Sequence, residues 1–275
     1  MAITADSDTL APPPPVRQKL TAAKAFGYLF VGLWIALGLS ILWSVVSSYD
    51  PDFVARYAPR LLGGAVTTVM LVTTSIVIGA VLAVPLTLGR LSSNPVIYAL
   101  TYGYVYFFRG TPLLAQVFLV YYGAGQFRLE LESVGLWWFF REAYYCAVLT
   151  FSLNTAAYQA EILKGAILNV PKGQTEAAQS MGLPRIQTFF LIVLPQALIT
   201  ALRPFGNEVI LMIKGSAIAS IITVFDLMGE TRLAFSRSFD FNVYVWAAFL
   251  YLIMVESLRR VWDLLERRLT RHLRR

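Results

Sequence analysis

Charged residues are scarce in this 275-residue chain, 14% of the total against about 25% in a soluble domain. A water-soluble globule of this size is therefore excluded as the ordinary case, and the 57% hydrophobic content agrees. Histidine and cysteine are nearly absent, with one of each, His272 and Cys146. That excludes an intrachain disulfide, and no transition-metal site built from the chain's own ligands is expected. Cys146 falls inside an apolar run and reads as a small buried residue. No Gly-x-x-x-x-Gly-Lys-Ser/Thr stretch occurs, so ATP is not bound here in the P-loop manner. No nucleophile has a base in a recognisable pattern, so no catalytic residue and no cofactor is expected. No short cleavable leader is expected either, since the first apolar run begins after some two dozen residues and is too long for one.

What the chain does have is apolar runs long enough to cross the hydrocarbon core, for which roughly 18 or more residues are needed. Residues Met1 to Lys24 are polar and contain Pro12 to Pro15 in a row, the composition of a disordered or polyproline tail. A first span follows over about Ala25 to Ser47. Tyr49 to Arg60, with Asp50, Pro51 and Pro59, reads as a loop. A second span, roughly Leu61 to Gly89, is rich in Thr, Val and Gly, residues that let helices pack closely in lipid. A short helix then runs to Phe108. A break is expected at Arg109-Gly110-Thr111-Pro112, and a third span from about Thr111 to Gly125. Arg128 to Glu142 reads as a polar loop. The fourth span covers about Ala143 to Leu163. The fifth, about Phe189 to Phe225, is too long for one straight helix and contains Pro195, Pro204 and Gly215, so a bend or break is expected. Asp226 to Asn242 reads as a loop. The sixth span, about Val243 to Leu258, continues into a basic helix.

These six spans put both termini on one side of the membrane. Fifteen Lys and Arg fall in the segments on that side, from Arg17 to Arg275, and six on the other; Arg203 and Lys214 lie within the fifth span. The positive-inside rule then makes both termini cytoplasmic. It also explains the net charge of +7 without a nucleic-acid partner. The loop Lys164 to Gln187 becomes cytoplasmic as well.

That loop reads Val170-Pro171-Lys172-Gly173-Gln174-Thr175-Glu176-Ala177-Ala178-Gln179-Ser180-Met181-Gly182-Leu183-Pro184-Arg185. Pro171 and Gly173 end the preceding helix. Gln174 to Met181 can form two helical turns, Gly182 supplies a left-handed cap and Pro184 starts the next helix. The product is a short surface helix between two turns. Ala177 and Ala178 leave little bulk, which permits close approach by another protein. An ordinary amphipathic connector fits the same pattern.

Glu176-Ala177-Ala178, then Gly182, then Ile192, Leu194 and Pro195 resemble, in identity and spacing, the EAA motif of ABC importer permeases. Phe107 to Leu114, Asn154 to Ile162 and Asn207 to Lys214 are similar to stretches of polar amino-acid permeases, specifically the histidine/lysine/arginine/ornithine and opine branch. The likeness runs from about Leu61 to the C-terminus. It implies an all-α integral membrane protein of six transmembrane helices, a five-helix type I permease core with one helix added at the N-terminus. The implied organisation is a tail over 1–24, the extra helix and outer loop over 25–60, the permease domain over 61–260 with its EAA loop at 170–195, and a basic C-terminal helix over 261–275. It further implies that Glu176, Ala177, Ala178 and Gly182 form the coupling helix that docks on an ATPase. The implied partners are a dimer of ATP-binding subunits, a second permease subunit that is a paralogue rather than a copy, a periplasmic binding protein and membrane lipid. The implied location is the bacterial inner membrane.

A charge at mid-bilayer costs at least about 2.5 kcal/mol on insertion scales, so each needs a reason. Asn154, Tyr158 and Glu161 are four and three residues apart and share a helix face. An importer of amino acids must offer a carboxylate to an ammonium or guanidinium and a cation to an α-carboxylate. Glu161 and Glu208 suit the first task, Lys214 or Arg203 the second, and Lys214-Gly215-Ser216 could expose backbone at a helix break. Pairing among these residues to staple the bundle is the competing reading, and for Arg203 and Arg109 the favoured one. Of the rival classes, a secondary transporter or channel would be favoured by an inverted repeat, and a membrane-embedded enzyme would need a catalytic polar cluster. Neither feature is present in the sequence.

Overall fold

A computed structural model describes residues 21–47 and 50–271. The expected N-terminal tail lies outside them apart from its last few residues. The chain is all-α and divides into two compact units, 1–49 and 50–275. The first unit contributes α1 (Ala22–Ser47), apolar on every face. At about 1.5 Å per residue, its 26 residues exceed the roughly 30 Å of a hydrocarbon core.

The second unit begins with α2 (Pro51–Arg90), a single helix of 40 residues. The expected loop Tyr49 to Arg60 is thus helical from Pro51 onward. Pro51 stands at the first helical position, where its missing N–H costs nothing, and the Asp50 side chain accepts from the Asp52 N–H at 2.9 Å. Next come α3 (Pro95–Gly110) and α4 (Leu113–Gln126), separated by the expected break. The expected loop Arg128 to Glu142 holds two short helices, α5 (Arg128–Ser133) and α6 (Trp137–Phe140). Then follow α7 (Ala143–Leu168), α8 (Lys172–Ser180) and α9 (Arg185–Thr188). A π-helical turn (Phe189–Val193) leads into α10 (Leu194–Gly215), which tightens into a 3₁₀ segment (Ser216–Ile222). The sequence expectation of a bent fifth span is met by these changes of pitch. Pro195, lacking an N–H, follows the π turn, where a helix loses a regular bond. Finally α11 (Leu227–Ser238) and α12 (Asn242–Leu269) close the chain.

Three helical stretches among the described residues are long and apolar enough to cross a membrane: Ala22–Ser44, Pro51–Arg90 and Arg185–Ile222. The other expected spans correspond to the broken pair α3–α4, to α7 and to α12. The latter two have 26 and 28 residues and carry charges toward their C-terminal ends.

The core forms where α2 and α7 pack. Every fourth residue of α2 from Ser75 is small (Ser75, Gly79, Ala83 and Thr87), and all four are buried. A Cβ on Gly79 would stand 2.4 Å from the Thr155 methyl, so the two helices touch there because glycine has no side chain. The Thr87 hydroxyl donates to the Ala160 carbonyl at 3.2 Å. Around this seam Leu71, Val117, Phe151, Met212 and Ile222 form the main apolar cluster.

The stretch Asp226 to Asn242, read from the sequence as a loop, is a helix over most of its length. Asp226 caps α11, its Oδ1 accepting from Gly229 N–H at 2.8 Å, and the Thr68 hydroxyl accepts from Leu227 N–H at 3.0 Å. Gly64 admits this contact, since a Cβ there would meet the Asp226 carbonyl at 2.8 Å. The signal was an Asp cap with Glu230 in the first turn, hidden by a short helix whose mean character is polar. Burial pushes the Asp226 carboxyl up to about 6. Since the raised value disfavours the ionised form, the folded state loses stability as pH rises from about 4 to about 6. Asp226→Asn keeps the cap. We expect this variant to melt higher than wild type at pH 7, and its melting temperature to lose the slope between pH 4 and 6. An unchanged slope in thermal scans of the detergent-purified transporter would refute this.

Candidate functional site

The break between α3 and α4 organises the polar interior. Thr111 is extended, as a residue before proline should be, so the last turn of α3 has carbonyls without helical partners. Gln116 on α4 reaches back, its Nε2 donating to Phe108 O at 2.9 Å and to Thr111 Oγ1 at 2.7 Å. Asn154 on α7 donates to the same Phe108 carbonyl at 2.9 Å and to Gln116 Oε1 at 2.9 Å. Unwound backbone is tolerated at such depth only where groups like these satisfy it.

Beside this staple lies a cavity of about 190 Å³, lined by Thr111, Leu113, Asn154, Tyr158, Glu208, Leu211, Met212 and Gly215. Glu208 is its one charged lining residue. The side chain is buried, and its Oε1 accepts from the Thr155 hydroxyl at 3.0 Å. Thr155 in turn accepts from Gln159 Nε2 at 3.2 Å. Three of the five residues proposed from the sequence for substrate contact, Asn154, Tyr158 and Glu208, therefore meet at one cavity.

Glu161, one turn beyond Tyr158, sits among cations. Arg90 Nε lies 2.8 Å from one of its oxygens, Lys164 Nζ 3.7 Å from the same oxygen, and Arg109 Nη1 3.8 Å from the other. The Arg90 guanidinium lies against both the Tyr98 and Tyr102 rings, 4.8 Å from each centroid. Arg109 lies over the Tyr158 ring at 5.2 Å. Two further cavities open here, of about 340 and 510 Å³, and both are lined by Arg109, Tyr158 and Glu161.

Lys214 does not join either group. It is exposed and lines none of these three cavities. Six residues along an α-helix from Glu208 is a rotation of about 240°, which turns Lys214 away, whereas Leu211, Met212 and Gly215 return to the cavity. Sequence reasoning left Arg90, Gln116 and Thr155 out of the site. Arg90 ends a long apolar helix and counted only toward topology; its place is set by Glu161, 71 residues away. The other two are neutral residues with no local mark.

Just beyond the C-terminal end of α7 lies the short helix α8. Ala178 is buried against the chain, whereas Glu176 and Ala177 are exposed. Gly182 has φ +85°. Its N–H donates to Gln179 O at 2.9 Å and Leu183 N–H to Ala178 O at 3.1 Å, the paired bonds of a Schellman ending. Met181 and Ile186, beside the helix, are 74% and 73% exposed.

Residues 75–274 match the model of the family described as binding-protein-dependent transport system inner membrane component. The nopaline transport system permease protein NocM of Agrobacterium fabrum is 42% identical over 82% of this chain and 94% of its own length. The arginine ABC transporter permease protein ArtM of Escherichia coli K12 is 36% identical over 78% of this chain and 96% of its own. A crystal structure of an amino acid ABC transporter with histidines superposes with a TM-score of 0.71, at 31% identity over 80% of this chain and 99% of that one. An inward-facing methionine ABC transporter, MetNI, is 20% identical with a TM-score of 0.59 and shares the fold. A match over most of the chain, with relatives named as permease subunits and not as enzymes, leaves one assignment: this chain belongs to the family of binding-protein-dependent transport system inner membrane components, the permeases of ABC transporters.

Proposed function

We propose that this chain is the pore-forming permease subunit of an ATP-driven importer of cationic amino acids or opines. The observation that carries the substrate class is the α7–α10 cavity, whose one charged lining residue is the buried Glu208. A buried carboxylate without a cationic hydrogen-bond partner favours a cationic guest. Asn154 and Tyr158 shape the same cavity. The α-helix 172–180 supplies the coupling element: Glu176 and Ala177 face a groove of the ATPase, Ala178 seats the helix on the chain, and Gly182 sets the angle of the next helix. A separate ATPase dimer supplies the ATP site, as suits a permease of this family. A second permease subunit, a paralogue of this one, completes the pore, and a periplasmic binding protein delivers substrate. Both termini are cytoplasmic, on the distribution of Lys and Arg. The organisation proposed is a core over 61–260 with an added first helix and a basic C-terminal helix over 261–275.

The test is reconstitution in proteoliposomes with the ATPase, the partner permease and the binding protein. Uptake of a basic amino acid should require ATP, and Glu208→Gln should lower it about tenfold or more while the complex still purifies intact. A tenfold change corresponds to about 1.4 kcal/mol, within the worth of one charge-assisted hydrogen bond. Uptake that proceeds without the ATPase would favour a secondary transporter or channel. Normal uptake by Glu208→Gln would remove the support for a cationic substrate.

A further inference from the structure

The cations around Glu161 outnumber its charge. Arg90, Arg109 and Lys164 share one carboxylate, and they do not share it equally. Arg90 is fixed: its side chain is 5% exposed, hydrogen bonded to Glu161 at 2.8 Å and packed against two tyrosine rings. Even so, its Nη1 is buried with no hydrogen-bond partner, so the positive charge on this wall is not fully answered. Arg109 is the opposite case. Its side chain is 44% exposed and its contact with Glu161 is a loose 3.8 Å. Among the described residues it makes no hydrogen bond. A guanidinium has five N–H donors in a planar fork that fits a carboxylate with two parallel bonds. Here that fork lies open to two cavities.

Placement adds the second half of the argument. Arg109 stacks on Tyr158, and Tyr158 also lines the cavity of Glu208. Tyr158 therefore borders both charged groups: Arg109 lies over its ring, and it lines the same cavity as Glu208.

Resting on the substrate reading above, we infer that Arg109 receives a carboxylate of the transported molecule, whose cationic group lies at Glu208, so that the substrate crosses Tyr158 with its two charges in adjoining cavities. The role is one of substrate contact, and it moves the recognition of the carboxylate from Lys214 or Arg203, the sequence candidates, to the break between α3 and α4. Glu161 then serves to keep three cations together and is not itself the acceptor for the substrate's cation.

The experiment is direct ligand binding to the complete purified transporter, nucleotide-free and without binding protein, followed by calorimetry. The probes are arginine and the amine left when its carboxylate is removed. Wild type should bind arginine at least tenfold more tightly than the amine. Arg109→Gln should weaken arginine about tenfold and leave the amine within twofold. Arg109→Lys should fall between, since a point charge attracts a carboxylate without the bidentate fit. Equal loss for both probes in Arg109→Gln would make Arg109 structural, and loss for neither would remove it from the site; both results overturn the inference. Glu208→Gln separates the two claims: it should weaken both probes. If it does so while Arg109→Gln changes nothing, the cation reading stands and the carboxylate site falls. If wild type binds neither probe, both fall. Addition of anionic lipid should not change the arginine affinity. A lipid-dependent loss that Arg109→Gln abolishes would mean that a headgroup phosphate, and not the substrate, occupies the fork.

Discussion

Gly182→Val yields a permease that inserts and assembles but no longer couples ATP hydrolysis to transport. The reason is local. Gly182 has φ +85° with nothing within 4 Å of where a Cβ would stand, so the substitution is resisted by backbone strain and not by a clash. A left-handed conformation costs an L-residue about 1–2 kcal/mol, and a β-branched one tolerates it least. The chain relieves the strain by giving up the Schellman ending, which redirects α9 and the π turn behind it. Gly182→Asn is the control, because asparagine adopts positive φ readily, and it should retain most coupling. The two alanines separate the faces of α8. Ala177 is exposed, so Ala177→Trp leaves the fold alone and obstructs the partner. Ala178 is 1% exposed, so Ala178→Trp unseats the helix from its own chain. Transport and substrate-stimulated ATPase, measured together in proteoliposomes with all subunits, should both fall to background for Gly182→Val and Ala177→Trp. Wild-type values for both would reduce the loop to a connector.

Glu161→Gln should destabilise the assembled protein more than it changes substrate affinity. A sequence reading makes Glu161 one of two equivalent carboxylates for a cationic guest. The structure surrounds it with Arg90, Arg109 and Lys164. Neutralising it leaves Arg90, 5% exposed, as a buried charge without a counter-ion. Breaking such a pair costs about 3–5 kcal/mol, and the lower end applies because Glu161 is itself partly exposed. The expected result is a clear drop in melting temperature in detergent. Removing both charges in Arg90→Met with Glu161→Gln should recover most of it, because the penalty belongs to the stranded cation. If Glu161→Gln melts like wild type, the three cations do not depend on it.

Much of this was legible from residue order alone, because it depends on local chemistry. Long apolar runs require lipid whatever their neighbours. Gly182 after two helical turns predicts a left-handed ending, and Pro112 after Thr111 predicts an extended break; the structure has both. The loops expected at Tyr49 to Arg60 and Asp226 to Asn242 were misjudged for a related reason. Their polar residues and prolines resemble turn chemistry, but Pro51 and Asp226 begin helices, and the helices persist because Thr68 and the seat at Gly64 hold α11 in place.

The sequence by itself determined the class of the protein, most of its helical spans and the short surface helix with its glycine ending, since periodicity, apolarity and turn residues act over a few neighbours. Only the tertiary structure decided what each intramembrane charge does. Glu161 and Glu208 are indistinguishable as letters. One lies within reach of an arginine 71 residues earlier, and the other lies beside a threonine 53 residues earlier, lining a cavity with no other charge. A carboxylate's role follows from the counter-charges within a few ångströms and from its exposure to water, and helix packing sets both.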